Sequence, residues 1–350
     1  MCVKGRYFRL YYPACAIIIL MKCFYHTSYK FYGPKYKDGL KFFLISDVHF
    51  TPDISSELLD AVLARAEKQH PDYILVAGDT VNSLGTVNSK SNLKRLLAWF
   101  IRLGKVAPVL IALGNHDFYR ERPGHEQKKL FSHEREWDPE HPTALIKELN
   151  ALENVQVLDN SVYEDKNVYI FGFTQSPEYY QFNQDENHSA SLLHPGSEDK
   201  SIMLYDLHQL DHKLIQDLPK NKAKIALIHS PVFLEDPEII SYLDEFDFFV
   251  SGHMHNGVVP PVISDFVRND RGILAPGKGL FPHHARARIT KNGQKSIILG
   301  AVSTIPSCNN VFMTLNKTFP VYTATLEFSH NELLERKPDI KSQYVSFKDN

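Results

Sequence analysis

The chain is poor in cysteine, carries no strong charge of either sign, and has no apolar run of full membrane-spanning length. Only four of its 350 residues are cysteines, and Cys2, Cys15 and Cys23 all fall in the N-terminal leader. Cys308 alone remains in the body, so neither a disulfide framework nor a cysteine-based zinc site can be built there. The redox compartment stays open. The formal net charge is −2 and no basic stripe occurs, which sets nucleic acid aside as a partner. No internal repeat is present. Hydrophobic content of 43% and charged content of 23% are ordinary for a soluble globular protein, and the length allows one large domain with an ample core.

The N-terminus is less ordinary. Lys4, Arg6 and Arg9 precede an apolar run, Leu10 to Met21, closed by Lys22. A basic start and about a dozen apolar residues suit a signal or signal-anchor segment, and no A-x-A cleavage site follows. The run is short of the ~20 residues of a full span unless Lys22 snorkels. We therefore expect a signal-anchor or membrane segment over residues 1–25, with membrane contact through residues 10–25. A disordered leader or a buried N-terminal strand is the alternative. An anchor would place the body on the outer face. The protein is thus expected to be membrane-associated or exported, with a cytoplasmic location as the alternative. Residues 26–39 are polar with Gly and Pro and read as a linker; residues 331–350 read as a polar tail.

From Leu40 onward the pattern alternates strand and helix. Apolar runs at Lys41–Ser46, Tyr73–Ala77, Val109–Leu113, Lys224–Ile228 and Phe246–Val250 read as buried strands. Helices are predicted over Glu57–Gln69, capped by Ser55 or Ser56, and over Ser91–Leu103, Thr143–Leu152, Tyr205–Asp217 and Pro237–Tyr242. Val155–Leu158 and Val168–Gly172 look like two more strands. Ser296–Val302 and Val321–Phe328 look like strands closing a second sheet. The fold class is α/β, with crossover helices between strands. Residues 118–142 and 174–200 are polar and long for loops.

Five of these strands stop at metal-ligand residue types. The segments are Asp47-Val-His49, Gly78-Asp79, Gly114-Asn-His-Asp117, His229 and Gly252-His-Met-His255. Ligand sites sit at the carboxyl ends of strands in open α/β sheets, so five such ends can converge. Asp47 and His49 are two apart, which in extended backbone puts both on one face; His253 and His255 share that spacing. Asp79 follows a glycine that permits a tight turn, and a carboxylate there can bridge two cations. Asn115 offers a neutral carbonyl oxygen. The chain has seventeen histidines, of which these segments use five. Mixed Asp, His and Asn donors suit manganese, iron or zinc better than calcium or magnesium.

The ordered set D-x-H, GD, GNHD, H and GH-x-H resembles the calcineurin-like metallophosphoesterase superfamily, and its spacing is similar to the small bacterial membrane-associated phosphohydrolases within it. The resemblance runs from Asp47 to His255. It implies two mixed β-sheets packed as a sandwich flanked by helices, filling a metallophosphoesterase domain over residues 40–330. It implies two divalent transition-metal ions, one held by Asp47, His49, Asp79 and His255. The other would be held by Asp79, Asn115, His229 and His253. Two divalent cations against two aspartates and a hydroxide leave net positive charge, which attracts an anionic phosphate ester. The implied activity is hydrolysis of phosphate ester or pyrophosphate bonds by a metal-activated hydroxide. The substrate would be a phosphorylated small molecule or lipid. Asp79 and His116 would be catalytic, His116 serving the leaving oxygen as proton or hydrogen-bond donor. Asp117 and Asn82 would support the site. Arg120 and Arg122 follow the GNHD loop and read as solvated surface residues or as a fork onto a phosphate. A metal-stabilised scaffold that binds a protein partner without turnover is the alternative from another class.

One position departs from the family pattern. Many relatives read GD-x-x-D, whose second Asp orients the histidine of GNH; here the residue is Asn82. Its amide oxygen can accept a hydrogen bond but carries no charge, which lowers the histidine pKa and leaves less of the protonated form at neutral pH, a poorer supply of general acid. Elsewhere, His125, His133 and His141 read as exposed. Tyr179, Tyr180 and Phe182 read as loop packing or as a cover for the site.

Overall fold

A computed structural model of the chain describes residues 21–32, 36–120, 136–137, 142–176, 179–180, 197–231, 236–259, 272, 287–291, 294–303, 321–329 and 339–346. Along the first half run β1 (Met21–Tyr32), β2 (Lys41–Ile45), α1 (Ser56–Gln69), β3 (Tyr73–Ala77), α2 (Lys90–Val106), β4 (Val109–Ala112) and the short pair β5 (Tyr119–Arg120) and β6 (Glu136–Trp137). Then follow α3 (Thr143–Asn150), β7 (Val155–Leu158), β8 (Ser161–Glu164), β9 (Val168–Phe173), α4 (Ser197–His208) and β10 (Ala223–Ile228). The remainder holds α5 (Pro237–Leu243), β11 (Phe248–Ser251), β12 (Ala287–Lys291), β13 (Gln294–Ile298), β14 (Val321–Ser329) and β15 (Asp339–Ser346).

The strands form two mixed sheets. One has the order β15-β1-β14-β2-β3-β4-β7, the other β12-β13-β11-β10-β9-β8. Alternate residues of each strand serve two different cores, which is why the strands read as unbroken apolar runs. Phe42, Leu44 and Leu75 of the first sheet meet Ile225, Leu227 and Phe248 of the second. Phe43, Ile45 and Ile74 face outward against Leu58, Val62, Trp99 and Leu103 of α1 and α2. On the far side Phe171, Ala226 and Phe249 pack on Met203 and Leu207 of α4 and on Ile239 and Leu243 of α5. The result is helix, sheet, sheet, helix. Ser55 caps α1 by accepting from the Leu58 N–H at 3.1 Å, so that helix starts where its capping signal places it.

β2, β3, β4 and β7 are parallel, as are β9, β10, β11 and β13. The carboxyl ends of β2, β3, β4, β10 and β11 therefore open at one edge of the sandwich, where the motif residues lie.

Residues 26–39 are not all linker and residues 331–350 are not all tail. β1 runs parallel to β14 and antiparallel to β15, inside the first sheet. The middle of β1 is polar, which hides the strand. His26 is buried yet bonds Thr323 Oγ1 at 2.8 Å, so a side-chain pair replaces apolar alternation. β14 belongs to the first sheet, beside β2, whereas β13 lies in the second. A strand not anticipated, β8, forms a hairpin with β9. The helix expected over Tyr205–Asp217 instead ends at His208. Asp211 then accepts the Lys213 N–H with its side chain at 3.0 Å and caps a separate short turn.

Candidate metal centre

Asp47 and His49 follow β2, but neither is extended. Their φ angles are 53° and 43°, both left-handed. The same holds for Asp79 at 52°, His253 at 64° and His255 at 47°. The two-apart pairs therefore do not share one face of an extended strand, although their spacing predicts it. The side chains still meet, because each of these ligand segments turns sharply after its strand ends. Left-handed backbone at a non-glycine residue costs of order 1–3 kcal/mol and persists only where its surroundings enforce it. Here the enforcement is visible. The Asp47 N–H donates to Gly78 O at 3.1 Å and the His49 N–H to Asp79 O at 3.0 Å. Two glycines leave the room: a Cβ on Gly78, itself at φ 83°, would strike the His229 ring, and one on Gly252 would strike Ser46 and Asp47.

The first group comprises Asp47, His49 and His255. His255 Nε2 lies 3.1 Å from Asp47 Oδ1 and 3.2 Å from His49 Nε2. His49 Nε2 lies 3.7 Å from Asp47 Oδ1. Asp47 Oδ2 accepts from Ser46 Oγ at 2.5 Å and from the His253 N–H at 3.1 Å, whereas Oδ1 is buried and accepts no hydrogen bond. A buried carboxylate oxygen without a donor, facing two ring nitrogens, fits a cation.

The second group comprises Asn115, His229 and His253. His229 Nδ1 bonds Ala77 O at 2.7 Å, which directs Nε2 to Asn115 Oδ1 at 3.2 Å. Asn115 Nδ2 donates to Tyr119 Oη at 3.1 Å, fixing which face of the amide presents its oxygen. Tyr180 stands at the other side, its ring 5.5 Å from His253 and 6.2 Å from His229, with its hydroxyl held by Gln175 Oε1 at 2.7 Å. Asp79, His229 and His253 present ligand atoms within 4.8 Å of one another, as do Asp47, His49 and His255.

Asp79 joins the groups. Its Oδ1 accepts the His116 N–H at 2.8 Å, leaving Oδ2 3.7 Å from His49 Nε2 and 3.2 Å from His229 Nε2. Asp117 holds the flanking loops together by accepting from Val81 N at 3.1 Å and Gly114 N at 2.9 Å. His116 reaches the centre as well, its ring 4.6 Å from that of His49.

Proton affinities follow from this crowding. Burial would lower the His229 pKa, but the Asp79 carboxylate overrides it and lifts it to about 9. The same buried Asp79 stays well below the carboxylate range: burial alone would raise it, and the charges of His229 and His116 win. His49 is pushed well below the imidazole range by burial and by the charge of His116. Burial and the nearby Asp79 raise Asp117 to about 7. His229 therefore favours its protonated form at neutral pH, and a cation bound at its Nε2 would have to displace that proton.

Asn82 does not act as expected. His116 Nδ1 bonds the Asn82 main-chain carbonyl at 2.7 Å, while the Asn82 Oδ1 is buried with no hydrogen-bond partner. Any residue at position 82 can supply that carbonyl, so the missing carboxylate does not cost the histidine its orientation. Arg120 pairs through its backbone with Glu136 in the β5–β6 ladder, and its side chain lies outside the described residues, as do Arg122, His125, His133, His141 and Phe182. Tyr179 and Tyr180 are buried. Tyr119, Tyr180 and Ser46 carry no motif signal. Tyr180 falls in the aromatic cluster that reads as loop packing or as a cover for the site, and Tyr119 lies one helical turn beyond Asn115.

Fold and motif residues together define a sandwich of two mixed sheets flanked by helices, with clustered metal-ligand side chains at one edge. The calcineurin-like phosphoesterase family model matches residues 40–257, and the chain belongs to that family. It is 22% identical over 228 residues to an uncharacterized metallophosphoesterase of Campylobacter jejuni, covering 65% of this chain and 47% of that protein. It is 29% identical over 89 residues to a transmembrane protein with metallophosphoesterase domain of Danio rerio, covering 25% of this chain and 18% of that one. The chain thus spans less than half the length of either curated relative. Among solved structures, a dimetal phosphatase from Danio rerio aligns over 89% of this chain and all of its own, at TM-score 0.41 and 12% identity.

Proposed function

We propose that this chain is a phosphohydrolase dependent on two divalent transition-metal ions. Asp47, His49 and His255 hold one ion, and Asn115, His229 and His253 hold the other, with Asp79 shared. The observation that carries this reading is the position of Asp79 Oδ2, between a ring nitrogen of the first group and one of the second. Manganese, iron and zinc all suit the donor set. Bound there, the ions supply positive charge for phosphate oxygens and acidify water.

The protein's own contribution is orientation. His116 Nδ1 is held by the Asn82 carbonyl, so its Nε2 is the nitrogen that meets substrate and hands a proton or hydrogen bond to the leaving oxygen. The substrate class is a phosphorylated small molecule or lipid, cleaved at an ester or pyrophosphate bond. The membrane link of the Danio rerio relative and the apolar leader of this chain favour a lipid-linked or envelope substrate at a membrane.

The test is turnover of the purified chain with added manganese against phosphate monoesters, diesters, nucleotides and lipid pyrophosphates. His116→Ala is expected to lose about a hundredfold or more in kcat while retaining its metal content. A wild-type chain that holds metal and turns over nothing would instead support the scaffold. A His116→Ala variant as active as wild type would remove the proton role.

A further inference from the structure

The strand that follows the apolar leader shows which end of the molecule the leader meets. β14 runs antiparallel to β2, with Ala324 opposite Leu44 and Leu326 opposite Phe42. β1 runs parallel to β14, with Phe24 opposite Val321. β1 therefore runs against β2 and begins where β2 ends. Carried along β14, this register sets Phe24 level with Asp47, and Met21 about 10 Å further out at the rise of an extended strand. Only β14 separates β1 from β2, so the start of β1 stands about 10 Å to the side of the Asp47 end of β2. The apolar run Leu10 to Met21 thus joins the domain at the metal-bearing edge, with no spacer between run and strand.

The opposite edge has another character. Lys37 pairs with Asp72 at 2.7 Å, Lys222 with Glu164 at 2.7 Å and Lys41 with Glu327 at 3.7 Å, all at or before the starts of the parallel strands or at the ends of their antiparallel neighbours. Such partly exposed ion pairs belong in water. β1 is also held on both sides, by nine paired positions on β14 and eight on β15, so its start cannot swing to the other end without unpairing an interior strand.

We infer that residues 10–20 insert into a lipid surface and hold the sandwich with its metal-bearing edge toward that surface. The basic residues Lys4, Arg6, Arg9 and Lys22 flank the run and suit anionic headgroups. The orientation deepens the phosphoesterase reading, on which its substrate consequence rests. A centre facing the bilayer acts on a phosphate or pyrophosphate group carried by a membrane lipid, presented at headgroup depth.

The test reads position, not turnover, so it stands apart from the assay of activity. In the full chain, with the four native cysteines replaced by serine, a fluorophore is attached at Asp53→Cys or at Lys166→Cys. Asp53 is exposed in the loop after β2; Lys166 is exposed in the β8–β9 turn at the opposite edge. Each protein is mixed with vesicles of phosphatidylethanolamine and phosphatidylglycerol bearing a headgroup nitroxide. Quenching is expected to be severalfold stronger at position 53 than at 166, and to vanish at both when residues 2–20 are deleted. Equal quenching, stronger quenching at 166, or no vesicle binding by the full chain would overturn the inference; binding that survives the deletion would do so too.

Discussion

The two halves of the proposed metal centre are built by different means. In the first, all three unshared ligand candidates, Asp47, His49 and His255, sit on left-handed backbone, and main-chain N–H groups do most of the positioning. In the second, Asn115 and His229 have ordinary backbone and are aimed by other groups: Tyr119 through a hydrogen bond, Ala77 through its carbonyl, and Tyr180 through its ring. The first half carries an aspartate of its own and the second only a neutral amide. One half is thus specified by how the chain turns; the other, apart from His253 with its own left-handed turn, by what packs behind it. A half built on main-chain turns resists side-chain substitution nearby. A half propped by side chains can be weakened from behind without touching a ligand.

The comparison breaks most severely at the residue both halves share. Asp79→Asn keeps the shape but removes the charge that faces His49 and His229. It is expected to lower turnover by about a thousandfold or more, equivalent to roughly 4 kcal/mol of barrier, and to weaken both ions together. Loss of one ion alone, by metal analysis, would show that Asp79 belongs to one half.

A smaller and more selective effect is expected from Tyr119→Phe. Removing the hydroxyl frees the Asn115 amide to rotate, and partners behind a ligand typically govern about tenfold or more in metal affinity. The weaker ion should lose about tenfold and the tighter one nothing if the amide-bearing half is the weaker. Equal losses at both would erase the distinction between the halves.

The smallest effect concerns Asp117, which ties the Asp79 loop to the Asn115 loop. Its pKa is raised to about 7, above the ordinary carboxylate value near 4. In the metal-free chain the folded state therefore holds this proton more tightly than the unfolded state between those values. Its contribution to stability is full below about pH 4 and is lost as pH rises through about 7. Asp117→Asn should flatten that part of the pH–stability curve, read by denaturant unfolding. An unchanged slope would mean that the folded-state carboxyl is not raised.

How much of this was legible without coordinates follows the same division. All seven ligand candidates could be read, because each sits directly after an apolar run and carries a metal-binding side chain. The reason for their convergence could not: left-handed turns at Asp47, His49, His253 and His255 leave no mark in residue type. Of the props of the second half, Tyr180 could be read as a cover for the site, whereas Tyr119 looks like any core aromatic and the Ala77 carbonyl leaves no mark at all. β1 escaped because its buried middle pairs His26 with threonines instead of alternating apolar and polar. Asn82 was read as a weakened orienting side chain, whereas the contact to His116 comes from its carbonyl, which every residue possesses.

The most direct measurement of the account is a manganese titration of the metal-free wild-type chain, followed by metal analysis after dialysis and repeated across pH. Two ions per chain are expected, with an apparent affinity that rises with pH toward about 9 as the proton on His229 becomes easier to displace. A single ion at saturation, or affinity independent of pH, would contradict a two-part centre joined at Asp79.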